Sequence, residues 1–286
     1  MPIEEQIARH YQGGNDSAAD AGKADLGARL LRALQDSGLD IDHLQLADLA
    51  PVDEFHVRGR AATAALGQGL DLRPGMRVLD IGSGLGGPAR HLAAATGAEI
   101  TGIDLTPDYC AAASLLTVRV GLADRVTYRQ GNALDLPFPA ASFDAAYTQH
   151  VAMNIADRPR LYREAARVLK TGARFGIYDV FQGSGGEVLY PVPWAATPAT
   201  SFLIAPQDLP PLLEQAGFRI LSLNNVTAEG RDWFARMPRR DPAQPHPALG
   251  FHLMLGPIFA EMSGNMLRNL QEDRIALCEV IAERIA

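Results

Sequence analysis

Cysteine is almost missing: Cys110 and Cys278 are the only two in 286 residues, far apart and outside any C-x-x-C spacing. A disulfide framework and a cysteine-built zinc site are therefore excluded, and both thiols read as buried and free. A basic excess is missing too. Lysine and arginine number 26 against 33 acidic residues, for a formal charge of −7, which opposes any partner bound by neutralising many phosphates, nucleic acid included. There is no run of about 18 apolar residues and no basic start leading into an apolar stretch, so no membrane partner is expected. The expected compartment is the cytoplasm. No H-E-x-x-H motif or Cys/His cluster asks for a metal, and no repeat organises the chain. What is plentiful is apolar: 47% hydrophobic content suffices for one large core with a modest appendage.

That apolar content is patterned in two ways. Residues 1–70 have helical spacing, as in Leu26, Leu30, Leu31 and Leu34 on one face, and predict a helical preface. From 71 to 286 an α/β core is expected. Short β-rich runs at Arg77–Ile81, Glu99–Asp104, Val126–Gln130, Ala145–Thr148 and Arg174–Val180 alternate with helix-length segments, which predicts βαβ units and a parallel sheet covered on both faces. Helix punctuation agrees. Pro88 and Gly97 bracket one helix, Thr106-Pro107 opens a second, and Asp157 caps a third whose Leu161, Ala165, Val168 and Leu169 share a face before Gly172. A sixth strand is expected over Phe218–Val226, and Arg274–Ala282 is ambiguous between helix and strand.

The strongest chemical signal is Val78-Leu-Asp80-Ile-Gly82-Ser83-Gly84-Leu-Gly86-Gly87, where a buried strand turns into a helix. Glycines there let a ligand approach backbone N–H groups that a Cβ would block. Gly82, Gly84 and Gly87 also satisfy the dinucleotide pattern, so a nicotinamide or flavin enzyme stays open. Asp80, two residues before the first glycine, gains nothing beside a pyrophosphate but suits a ligand carrying an ammonium and a sulfonium. Asp104 closes the next strand where a carboxylate accepts from both hydroxyls of a ribose, which either ligand possesses. Asn132, in Gly131-Asn132-Ala133, offers an amide oxygen to an adenine amino group.

Together these residues resemble the class I S-adenosylmethionine-dependent methyltransferases, in particular a bacterial branch similar to sarcosine, tocopherol and sugar methyltransferases. The likeness runs from about Leu49 onward and is most specific at Val78 to Arg90, Asp104, Gly131-Asn132-Ala133, Ser142-Phe-Asp144, Glu164 to Lys170 and Ala216-Gly-Phe218. Many members carry Asp where this chain has Asn132, which keeps the acceptor and loses the charge. The resemblance implies a Rossmann-like, seven-stranded, mostly parallel sheet with helices on both faces, an antiparallel last strand near Arg274 to Ala282 and an N-terminal helical cap or lid over 1–70. It implies S-adenosyl-L-methionine as cofactor, with Asp80, Gly82, Ser83, Gly84, Asp104, Leu105, Asn132, Ala133 and Gln149 around it. It also implies that the segment from Asp53 to Gly59 packs over the cofactor's methionine end.

The expected reaction is in-line methyl transfer to a nitrogen or oxygen of a small molecule. His150, just past the fourth strand, is the candidate general base, because an unperturbed histidine titrates near pH 6.5 and is largely neutral at pH 7. Candidate acceptor-facing residues are Tyr11, His56, Arg58, Asn154, Tyr190 and Trp194, with lid insertions at about 181–205 and 229–270. Plainer readings stand beside these: core aromatics for Tyr190 and Trp194, surface pairing for His56 and Arg58, and a solvated face for Arg236, Arg239 and Arg240. A nucleotide-dependent oxidoreductase and a non-catalytic cofactor-binding module are the competing functions, and a homodimer is one option for assembly.

Overall fold

The computed structural model describes residues 1–12, 25–237 and 248–285. Arg239 and Arg240 of the basic cluster lie outside the described residues. The β-rich runs become β1 (Arg77–Ile81), β2 (Glu99–Asp104), β3 (Val126–Gln130), β4 (Phe143–Gln149), β5 (Leu169–Gln182), β6 (Phe218–Asn225) and β7 (Ile275–Arg284). They form one seven-stranded sheet in the order β3-β2-β1-β4-β5-β7-β6. Strands β1 to β5 pair in parallel, whereas β7 runs antiparallel to both β5 and β6. That resolves the ambiguous tail as a strand inserted between β5 and β6. Strand order reverses between β1 and β4, so a crevice opens at their carboxyl ends, where open α/β sheets bind ligands.

The helices are α1 (Ile3–Tyr11), α2 (Leu26–Asp36), α3 (Ala50–Asp53), α4 (Arg60–Leu70), α5 (Gly87–Thr96), α6 (Pro107–Arg119), α7 (Arg158–Val168), α8 (Leu209–Gln215), α9 (Thr227–Arg236), α10 (His252–Leu255) and α11 (Phe259–Gln271). Their apolar stripes sort them onto the two faces. Leu66 and Leu70 of α4, Leu92 of α5 and Leu270 of α11 join Val78, Tyr178 and Leu277 in one buried cluster. Leu161 of α7 and Leu213 of α8 join Leu79, Phe175 and Val280 in the other. A third cluster lies above the sheet's carboxyl end. There Leu30 and Leu34 of α2 pack on Leu116 of α6, with Leu49, Val52 and Met262.

One helix ends earlier than its spacing suggests. α7 stops at Val168, not at Gly172, because Leu169 already has extended backbone (ψ 146°) and pairs with Phe143. Leu169 is buried either way, so apolar periodicity could not tell a last helical turn from a first strand residue. Both cysteines are buried and free. No helix among the described residues is long and apolar enough to cross a membrane.

Candidate active site

A cavity of about 330 Å³ opens at the carboxyl ends of β1, β2 and β4. Its floor is the β1–α5 turn. Gly82 (φ +81°) and Gly84 (φ +53°) take conformations that favour glycine, and a Cβ on Gly82 would run into the Val151 side chain. Gly84, by contrast, faces open space, which is the cradle expected of a turn that lets a ligand meet backbone. Asp104 is fixed across this turn: its carboxylate accepts from the Gly84 N–H at 2.8 Å and the Thr106 N–H at 2.9 Å. Burial raises the Asp104 pKa, and the two backbone donors oppose the rise.

Two polar groups beside the turn have no partner. Asp80 is buried with Oδ2 unmatched, and Ser83 Oγ is unmatched as well. Burial, reinforced by the Asp104 and Glu54 carboxylates, pushes Asp80 up to about 8. Unsatisfied buried groups cost on the order of 1–3 kcal/mol each, so their survival at a cavity wall marks a place where a ligand supplies the missing partner. Leu105, Asn132 and Ala133 also line the cavity. Asn132 Oδ1 already accepts from the Leu134 N–H at 2.8 Å, which fixes the loop that carries it.

Next to β4 sits a buried polar network. Thr63 Oγ1 donates to Glu54 Oε2 at 2.8 Å and lies 3.2 Å from His56 Nε2. His56 Nε2 is 3.1 Å from the Gly59 carbonyl oxygen, and Gln149 Nε2 is within 3.4 Å of both His56 and Thr63. The Gly59 oxygen only accepts, so His56 Nε2 carries its hydrogen. Burial pushes Glu54 up to about 7 and His56 down to about 4. Glu54 and Thr63 were missed from the sequence; a carboxylate two residues before His56 with a hydroxyl seven residues after it was the available signal.

His150 is held in the left-handed region (φ +52°) with its N–H bonded to the Tyr178 carbonyl at 2.7 Å. Its ring lies 4.9 Å from Tyr178 and 5.9 Å from His56, and Nε2 has no partner. Burial drives its pKa well below 6.5. The expectation rests on an ordinary value near 6.5; burial lowers it, and the neutrality at pH 7 on which a base role depends is kept.

Over the opposite wall lies α1. Tyr11 donates its hydroxyl to Asn154 Oδ1 at 2.8 Å, its carbonyl accepts from Tyr109, and His10 Nε2 is 3.0 Å from the Pro193 carbonyl. Asn154 Nδ2 reaches the Trp194 and Thr200 carbonyls, and Trp194 Nε1 donates to Ser201 at 2.9 Å. Tyr11, His56, Asn154 and Trp194 thus line the cavity together with His150. Arg58 and Tyr190 do not. Arg58 pairs with Glu279 at 3.2 Å and covers the Tyr178 ring, while Tyr190 packs on the first core cluster.

Residues 79–177 match a family described as a methyltransferase domain. The chain is 32% identical over 187 residues to "Methyltransferase GfsG" of Streptomyces halstedii, covering 64% of this chain and 67% of that protein. It is 38% identical over 114 residues to "Sterol 24-C-methyltransferase ERG6B" of Gibberella zeae, but that match covers 40% of this chain and spans only 30% of the sterol enzyme's length. Among solved structures, the geranyl diphosphate C-methyltransferase from Streptomyces coelicolor A3(2), in complex with Mg²⁺, geranyl diphosphate and S-adenosyl-L-homocysteine, superposes with a TM-score of 0.67. That alignment covers 100% of this chain and 98% of the other at 16% identity, a likeness of fold.

Proposed function

The chain belongs to the class I S-adenosylmethionine-dependent methyltransferases, and from that premise we propose that it methylates a hydroxyl oxygen or amine nitrogen of a small molecule. The observation that carries the reading is the acid-lined cradle. Open space at Gly84, Asp104 clasped beside it and a buried Asp80 with its Oδ2 unmatched suit a ligand with a ribose and positive charge, and disfavour one with a pyrophosphate. In this reading Asp104 takes the ribose hydroxyls, Leu105, Asn132 and Ala133 flank the adenine, and Asp80, Gly82, Ser83 and Gln149 face the methionine end. A nicotinamide enzyme is disfavoured by the same carboxylates.

S-adenosyl-L-methionine, when bound, supplies a methyl group activated by its sulfonium. The protein's share is positioning and proton handling. The unpartnered, neutral His150 Nε2 accepts the hydrogen bond of the acceptor's O–H or N–H and takes its proton as the new bond to the methyl carbon forms and the carbon–sulfur bond breaks. The buried network of Glu54, Thr63, His56 and Gln149 holds the wall beside it and excludes water. The described parts of the helical cap over 1–70 and of the segments 181–205 and 229–270 act as lids that choose the acceptor, since the glycine turn addresses the cofactor alone. The sterol enzyme and the geranyl diphosphate enzyme are both carbon methyltransferases, and for such a reaction His150 would instead remove a proton after transfer.

Calorimetry tests the reading: S-adenosylmethionine and S-adenosylhomocysteine bind, and NAD does not. Preferred NAD binding would reverse it. Methyl-labelled cofactor, followed into product by mass spectrometry, separates oxygen and nitrogen acceptors from carbon and distinguishes an enzyme from a silent binding module.

A further inference from the structure

The acceptor half of the cavity has spent its polar groups on itself. Tyr11 is bonded to Asn154, Asn154 to the Trp194 and Thr200 carbonyls, Trp194 to Ser201, and His10 to Pro193. What they leave exposed to the cavity is apolar: Ile3, Ile7, Phe55, Met153, Trp194 and Met254. The exceptions are His150, whose Nε2 has no partner, and the carboxylates of the half-buried Glu4 and the exposed Asp157. The charge pattern is equally one-sided. Among the described residues lining the cavity there is no lysine or arginine, while Glu4, Asp53, Asp80, Asp104 and Asp157 contribute carboxylates. The arginines nearby are engaged elsewhere: Arg90 with Asp53, Arg58 with Glu279, and Arg158 with Tyr162 and the Phe202 carbonyl.

Resting on the methyl-transfer reading above, we propose that the methyl acceptor is an uncharged, predominantly apolar molecule whose one polar group at the reacting end is presented to His150. A phosphate or carboxylate would be buried among carboxylates with no lysine or arginine among the described lining residues to compensate its lost hydration. A permanently cationic acceptor fails for a different reason: it must approach a sulfonium in line, charge against like charge. A neutral apolar acceptor meets apolar walls along its length and finds the unpartnered His150 Nε2 at the methylated group. The specificity is therefore exclusion by charge.

The test uses the full-length chain with methyl-labelled S-adenosylmethionine and a bacterial metabolite extract divided at pH 7 by ion exchange into anion-retained, cation-retained and unretained fractions. Label is expected in the ethyl acetate layer of the unretained fraction, at about tenfold or more above either retained fraction. Label chiefly in a retained fraction overturns the charge assignment while leaving methyl transfer standing. If no fraction is labelled, the methyl-transfer reading falls and this assignment with it. A Met254→Lys variant, which adds a cation to the wall, is expected to lose about tenfold or more of the transfer into the neutral fraction while S-adenosylhomocysteine binds as before. Undiminished transfer by that variant would also overturn the proposal.

Discussion

His150 adopts a backbone conformation that costs a non-glycine residue about 1 kcal/mol or more, and it does so at the mouth of the cavity with an unpartnered ring nitrogen. If that nitrogen handles the acceptor's proton, His150→Ala lowers kcat by about 10² to 10⁴ while cofactor affinity stays nearly intact. Because burial holds its pKa well below 6.5, wild-type kcat is expected to show no inflection at that pH. Steady-state kinetics between pH 5.5 and 9 in both proteins check this, and an unchanged kcat in the variant rejects the role. Asp104→Ala is expected to weaken S-adenosylhomocysteine binding by about 1.5–3 kcal/mol per charged hydrogen bond lost, roughly tenfold to a hundredfold, read by calorimetry on folded protein. The position of both side chains was legible in the sequence, because each follows a strand that ends at the crevice. The lowered pKa of His150 was not, since desolvation depends on what Tyr178 and His56 bring from distant elements.

At the scale of elements, β1, β2 and β3 were legible to the residue, because alternation of β-rich runs with Gly- and Pro-punctuated helices leaves few arrangements, whereas β4 and β5 extend beyond the expected Ala145–Thr148 and Arg174–Val180 at both ends. The end of α7 was not, as a buried leucine serves helix and strand alike. Nor was the tether that seats the preface on the core. Arg90 of α5 is fully buried and reaches Asp53 of α3 at 2.5 Å, the Ala113 carbonyl and Thr117 Oγ1, so one guanidinium joins α3, α5 and α6. Burial raises Asp53 and the Arg90 charge pulls it back down, so Arg90→Leu strands a buried carboxylate. That variant is expected to lose about 3–5 kcal/mol of stability at pH 7.5, and the Arg90→Leu/Asp53→Asn pair substantially less. Denaturant titration of the three proteins decides the matter, and additive losses would mean that the pair is not coupled.

For the molecule as a whole, net charge matters less than where the acids lie. Asp80 lines the cavity and feels the Glu54 carboxylate behind it, and burial pushes the two up to about 8 and about 7. Their ordinary values are near 3.8 and 4.5, so between those values and the raised ones the folded protein holds protons that the unfolded chain has released. Stability then falls as pH rises through that window. His56 and His150 oppose this below about pH 6.5, because their lowered pKa values make the folded state gain stability as the unfolded chain loses its histidine protons. Above that pH the histidines are neutral in both states and the carboxylates decide. The melting temperature of the free protein is therefore expected to decline from pH 7 to pH 9. A positively charged sulfonium ligand favours the ionised carboxylates, so its affinity rises over the same interval and its stabilising effect grows with pH. S-adenosylhomocysteine, which lacks the sulfonium charge, is expected to show a weaker trend. Thermal melts at pH 7, 8 and 9 with and without each ligand measure both slopes, and Asp80→Asn is expected to flatten them. A sulfonium-induced shift that stays constant across this range would separate these carboxylates from cofactor binding.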